Sequence, residues 1–564
     1  MKKINLHIIQ QAIFIFLIVL TPSLFTVGLD ENFEFIKTYF LIFLFSLSIL
    51  LYVFKSFYTK KNVKISFAGF FYLLFLCLYS FSTFFSTNFQ TSFFGYFGRF
   101  SASLLFFITL VFYLISNRSL ISKVSIDNII NYIILGSLLP LTYGFIQVLH
   151  FDFITWEILD NRVFSTFGQP NWYGSYLILI LSICLFFYVE DKLNKYLPLF
   201  VLALLLLIQT QSISSLIALF ITVSVYVVFR FRYVSKNRFL VIIFFTIVTL
   251  LLFGHNFYSR LEKQVLAYDE ANTLITNDTG KIRLILLQSS LDQILHNKKI
   301  FTVGSGPETF AYSFIRPVEL NNTSEWNVIF NKPHNFAAEE FFELGIGGFI
   351  FYSVMYVLFI YKLSFDRSSI LGVSILTTSF FGWPTAYLYL ILFLLFYKIY
   401  LLRKVFKFTF YVPIKLFFVS FIAVLSFLEV IYVISYVFYL SNPCLSLKIL
   451  PEYQNYVYKC GEERGDIYYY NQAYLLNPNN KVISLLSGYR LLTYDPNRSE
   501  QIFRELLKKE PFNPIFIYHF GLSQEKLNRI HEALDYYKKA NDMVPNYFEA
   551  NKAVERMRGN LNTL

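Results

Sequence analysis

Thirteen apolar runs, separated by short polar stretches, organise the first 440 residues of the chain. They lie at about 8–29, 34–54, 66–84, 100–116, 128–149, 172–189, 196–209, 213–229, 239–254, 341–361, 368–381, 385–402 and 414–440. A run of roughly 18 residues with few charges is long enough to cross a bilayer. Inside lipid the backbone must satisfy its own hydrogen bonds, so such runs predict helices. The pattern therefore predicts an all-α, polytopic transmembrane bundle of 12–13 spans at residues 1–440, with a large polar loop at 255–340. The count turns on 368–402, where the Phe-Gly-Trp-Pro stretch at 381–384 either separates two spans or kinks one. The basic, apolar N-terminus resembles a signal peptide but lacks a small-residue cleavage site, and reads as a retained first span.

Composition agrees with the pattern. The chain is 56% hydrophobic and 20% aromatic, with charge on 15% of its 564 positions, against about 25% in soluble proteins. Its net charge of +12 does not point to nucleic acid, because Lys and Arg sit in short clusters between apolar runs. Such clusters mark cytoplasmic loops. Lys2 and Lys3, then Lys55, Lys60, Lys61 and Lys64, then Arg118 with Lys123, place successive loops inside. Lys192 with Lys195, the 230–238 cluster, Lys362 with Arg367, and Arg403, Lys404 and Lys407 follow suit. The acidic turn Asp30-Glu31-Asn32-Phe33-Glu34 and the 255–340 loop then fall outside. With thirteen spans the N-terminus is inside and residues 441–564 are extracytoplasmic; with twelve, the C-terminus is cytoplasmic.

Beyond residue 441 the membrane pattern stops, and Pro478, Pro511 and Pro545 recur near the 34-residue period of tetratricopeptide repeats. In the unit 514–547, Gly521, Ala533 and Ala540 stand where two helices of a repeat touch, Phe520 and Tyr537 fill the large apolar places, and Pro545 ends the second helix. The region is expected to be a tetratricopeptide-type domain offering a groove to a protein partner. Cys77 and Cys184 fall inside spans, whereas Cys444 and Cys460 either form a disulfide at the entrance to the domain or remain two thiols.

Charged groups next to membrane spans are costly and so are functional candidates. One is Arg162, ahead of VFSTFGQPNWYGSYL; a second is Gly280-Lys281-Ile282-Arg283 with the turn Val303-Gly304-Ser305-Gly306; a third is Lys332-Pro333-His334-Asn335 before FAAEEFFELGIGGFIF. In this order, flanking one long loop, the segments resemble the O-antigen ligase and polymerase superfamily. Ser92–Arg99 (SFFGYFGR) and Gln147 ahead of Phe151-Asp152 also resemble that family, over about residues 80–400.

The resemblance implies a glycosyltransferase of the bacterial inner membrane. It would move a glycan from a polyprenyl (undecaprenyl) diphosphate to a lipid, polysaccharide or protein acceptor on the outer face, as ligase, polymerase or protein O-oligosaccharyltransferase. Arg matches diphosphate oxygens with a planar fork of donors, which nominates Arg283 and Arg162, then Arg99. A His titrates near working pH and can take the acceptor's proton, which nominates His334, with a nearby carboxylate such as Glu339 raising its proton affinity. His150 and His255 also sit at outer span ends. No cofactor is expected, and the transfer should need no metal. Ile213 stands where the family carries Arg after Thr-x-Ser, so one phosphate-binding cation is either missing or supplied from elsewhere, by Arg99 or Arg260. Two rival readings are a metal-dependent glycosyltransferase using Asp30, Glu31 and Glu34, and a non-enzymatic polysaccharide transporter or assembly factor with the repeats as its docking surface.

Overall fold

The computed structural model describes residues 6–59, 63–156, 162–255, 258, 279–401, 405–408 and 412–562. Lys2, Lys3, Lys60, Lys61, Asp160, Arg260, Arg403 and Lys404 lie outside the described residues.

A helix forms on every predicted apolar run. Nine of the described helices are long and apolar enough to cross a membrane, and four are shorter: Leu104–Ser116, Tyr196–Gln209, Ser369–Ser379 and Ala386–Tyr400. Leu104–Ser116, Ser369–Ser379 and Ala386–Tyr400 carry almost no charge and are buried along almost their whole length. A helix without a polar face belongs inside a bundle, and these form its centre with Pro170–Val189. Lys236–Phe253 lies at the periphery with most of its side chains outward. Aromatic rings fill the centre: Phe75 stacks on Phe351 at 4.3 Å, and Tyr72 on Phe393 at 4.7 Å.

One face of the bundle gathers the basic loops. Arg230 Nε donates to Glu190 Oε1 at 2.9 Å, and Arg367 pairs with Asp191 and with Asp127 at 3.6 Å. Val63–Ser66 and Val405–Phe408 form an antiparallel ribbon, Lys64 opposite Lys407, so an otherwise helical chain has one two-stranded sheet among the described residues. This face also settles the geometry of 368–402. Ser369–Ser379 starts beside the Arg367 pairs, whereas Lys398, near the end of Ala386–Tyr400, donates to the Ile121 carbonyl at 2.9 Å. The Phe381–Pro384 stretch lies at the other end, so the segment is a hairpin of two short helices and not a kinked span.

On the opposite face the helix Phe336–Leu363 breaks at Gly345, whose φ is 68°. The break frees two carbonyls: Ser305 N–H donates to Phe342 O at 2.9 Å and Gly306 N–H to Glu343 O at 3.0 Å. A Cβ on Gly345 would lie 2.6 Å from the Thr302 carbonyl carbon, and one on Gly304 would collide with the Glu343 carbonyl. The Gly-x-Gly turn and the acidic-to-Gly helix are thus two halves of one contact.

Eight helices follow between Pro443 and Asn562, consecutive members packing together. Pro478, Pro511 and Pro545 each stand two residues beyond a helix end, at Leu476, Lys509 and Met543. Gly488 lies against Phe503 and Gly521 against Tyr537 where adjacent helices touch. Cys444 and Cys460 are bonded as a disulfide joining the first two helices of this region. The domain packs on the polar loop: Asn321 Nδ2 donates to the Phe512 carbonyl at 3.0 Å, and the rings of Trp326 and Tyr547 are 4.7 Å apart.

Candidate active site

A cleft of about 370 Å³ opens on the face opposite the basic loops. Arg162, Gln169, Asn171, Ser212, Ser214, Arg283, Glu325 and His334 line it, and a narrower recess continues past Trp172, Ser215 and Trp383. The first residues of three helices reach the cleft: Pro170–Val189, Ile213–Arg230 and Thr279–His296. His334 stands just ahead of another helix, Phe336–Leu363, whose N-cap Asn335 spends its side chain on that helix. Helix N-termini carry unpaired N–H groups and the positive end of the helix dipole, so the three at the cleft favour an anion. The Ile213 departure takes its place in this arrangement. With no Arg there, the helix start supplies Ser214 and Ser215, while Ser212 Oγ caps it by accepting from Ser215 N–H at 3.3 Å.

Arg283 rises from Thr279–His296, whose Ile282, Leu286, Ser290 and Ile294 are buried on one stripe, leaving Arg283 at its edge toward the cleft. Arg162 donates Nε to the Thr210 carbonyl at 2.8 Å and Nη2 to Asn171 Oδ1 at 3.3 Å. It is therefore partly spent on holding the ends of two helices. Arg99 donates Nη2 to Asn331 Oδ1 at 2.7 Å and lies over the Trp383 ring, and burial lowers its pKa to about 10. Arg99 lines neither the cleft nor the recess; among the described residues that do, Trp172 Nε1 and Gln169 Oε1 are buried without a hydrogen-bond partner. Leaving such an atom unmet costs about 1–3 kcal/mol, which a polar ligand would offset.

His334 has φ 55° and faces Trp383, ring centres 5.3 Å apart. Its backbone is held on both sides. Asn335 accepts from Ala338 N–H at 3.0 Å and donates to the Phe380 carbonyl at 3.0 Å. Lys332 is buried, its ammonium 3.0 Å from Glu308 Oε1 and in contact with Glu339. The Glu339 carboxylate is therefore engaged with Lys332, and the expected rise in the imidazole's proton affinity is reversed. Burial, then the charges of Arg283 and Arg99, lower the His334 pKa to about 3.

Other sequence candidates lie elsewhere. His150 and His255 are exposed and do not line the cleft. Glu31 accepts from Phe33 N–H at 3.0 Å and from Phe35 N–H in the first turn of Glu34–Thr59, and Glu34 accepts from Ala386 N–H at 3.0 Å. Asp30, Glu31 and Glu34 do not converge as metal ligands, nor do any three His, Cys, Asp or Glu among the described residues. Gln147 Oε1 accepts from Ser165 N–H at 2.8 Å, steadying the turn that leads to Gln169 and Asn171.

Sequence reasoning missed several groups. Trp383 was legible only as part of a turn, and the Lys332–Glu308 pair joins residues with no shared motif. Lys37 is buried at the start of a long helix, donating to the Thr166 carbonyl at 2.6 Å. A lone Lys inside an apolar run was the available signal.

No curated protein and no solved structure matches the chain. Residues 198–353, the stretch that supplies both Arg283 and His334, match the family model of the O-antigen ligase.

Proposed function

We propose that the protein is a membrane glycosyltransferase of O-antigen ligase type, working on the outer face of the bacterial inner membrane. The donor is a glycan on a polyprenyl diphosphate, and the acceptor a hydroxyl of a lipid, polysaccharide or protein. The observation that carries this reading is one cleft in which Arg283, Arg162 and His334 meet the first residues of three helices. The helix starts and Arg283 hold the diphosphate, while Arg162 ties the chain around the cleft together through Thr210 and Asn171 and adds positive potential. Arg99 keeps Trp383 and the Asn331 segment in place from behind and adds positive potential. The acceptor oxygen attacks the anomeric carbon as that carbon's bond to the diphosphate breaks. His334 takes the hydroxyl proton, and polyprenyl diphosphate leaves with the bonding electrons. The helices between Pro443 and Asn562 are of tetratricopeptide type, as the Pro spacing and the Gly–aromatic contacts support.

The test is a transfer assay in membranes from a deletion strain, with carrier-linked glycan and native acceptor, comparing wild type, Arg283→Lys and His334→Ala at equal protein level. A positioned base contributes about 10²–10⁴ in rate, so His334→Ala should lose at least the lower figure. Arg283→Lys should lose most activity because Lys cannot offer a two-pronged contact. Near-normal transfer by both variants would overturn the proposal.

A further inference from the structure

The domain after residue 441 holds part of the polar loop in its own grasp, and the held segment runs directly into the site. Lys481 opens one helix of that domain and Glu510 caps the end of the next; both are about 96% buried at their side chains and lie 2.5 Å apart. Their free valences are aimed at the loop: Lys481 donates to the Phe314 carbonyl, and Glu510 accepts from Arg316 N–H at 3.4 Å. Arg316 in turn donates to the Val328 carbonyl at 2.9 Å, closing residues 316–328 into a loop within the loop. Trp326 packs on Tyr547, and Ile329 joins the domain's apolar core around Phe503 and Phe516. The next residues are Asn331, which binds Arg99, Lys332, clamped by Glu308, and His334. Glu325, beside Trp326, already lines the cleft.

We infer that the C-terminal domain is an intramolecular brace: its surface binds residues 314–330 of the same chain and thereby fixes Asn331 and His334, making Lys481, Glu510, Asn321 and Trp326 positioning residues. The kinetic part rests on the reading of the cleft as the transfer site. Holding a segment by a buried ion pair and an aromatic contact at two points removes its freedom to drift, and a displacement of about 1 Å at a reacting group costs about 10²-fold in rate. The brace acts after binding, so the turnover number should suffer and the carrier's KM should not.

The experiment uses full-length protein in lipid nanodiscs and combines hydrogen exchange with steady-state transfer kinetics. Trp326→Ala and Asn321→Ala alter only the loop side and leave the domain's own core intact; Lys481→Met alters the domain side, and Lys481→Arg is the conservative control. The expected result is faster exchange across 314–334, a fall in kcat of roughly ten- to hundredfold, a KM for carrier close to wild type, and restoration by Lys481→Arg. Unchanged exchange in Trp326→Ala would overturn the brace, and so would faster exchange with an unchanged kcat. His334→Ala is run alongside. If it transfers normally while the loop variants behave as expected, the assignment of His334 fails and the brace stands.

Discussion

The guanidinium of Arg99 lies 4.0 Å from the centre of the Trp383 ring, on the side of the site where His334 faces the same indole. The two residues come from turns far apart in the chain, and neither has a hydrogen bond to the other. Cation–π attraction orients the indole, the indole forms a wall of the recess, and the positive charge of Arg99 reaches His334 around it.

Trp383→Ala should therefore lower transfer while leaving protein level unchanged, and Trp383→Phe should lower it less. A cation–π contact is worth about 0.5–2 kcal/mol, equivalent to roughly two- to thirtyfold in rate. The measurement is kcat and carrier KM for the two variants, and equal loss in both would show that ring size, not the Arg99 contact, matters.

The depressed pKa of His334, about 3, carries two pH consequences with defined sign. The fold favours the neutral imidazole, so this contribution to stability is present above the unfolded pKa of about 6.5 and is lost as pH falls below it. Thermal melts should decline from pH 7 toward pH 5, and His334→Ala should decline less. In kinetics, kcat/KM reports the free enzyme and kcat the carrier complex. On the proposed reaction a bound diphosphate would offset Arg283 and Arg99, so the acid limb of kcat should lie at higher pH than that of kcat/KM.

Lys332→Met should be among the most damaging substitutions outside the reacting groups, since it leaves Glu308 and Glu339 buried without their ammonium. Breaking one partner of a buried pair costs about 3–5 kcal/mol. The double variant Glu308→Gln, Lys332→Met should recover part of that loss, as read by thermal unfolding in detergent. No recovery would mean that Glu339 alone sets the cost.

A phosphatase reporter fused after Leu440 should be active outside the cytoplasm. The ribbon pairs the loop at 63–66 with the one at 405–408, and both belong to the face that collects the basic clusters. One further helix, Val412–Val437, then leads to the other side. An inactive reporter there would invert the assignment of the two faces.

The helices were readable because lipid leaves an apolar segment few choices, although the first ends at Val19, well short of the apolar run to residue 29, and Leu104–Ser116 starts four residues late. Arg283, His334 and Arg162 were readable as cations and an imidazole at helix starts, and the structure brings them to one cleft. The partners that set their behaviour were not. Glu339 looked like a helper for His334 because it is near in sequence, but a helix turns its first carboxylate wherever a buried cation waits, and Lys332 was that cation. Trp383, Glu308 and the grip of Lys481 on the loop depend on turns meeting across the fold, which no periodicity encodes.

The hairpin made by Ser369–Ser379 and Ala386–Tyr400 has a consequence for the recess beside it. Eleven residues of helix rise about 16 Å, roughly half the usual hydrocarbon thickness. The turn that carries Trp383 nevertheless reaches the level at which the longer Pro170–Val189 begins, with the rings of Trp172 and Trp383 6.2 Å apart. The non-helical stretch 380–385 supplies the missing length, since extended backbone rises about twice as far per residue as helix. Backbone of that kind close to lipid is tolerated only where protein buries it or a cavity wets it, so the short helix and the recess that ends it require each other.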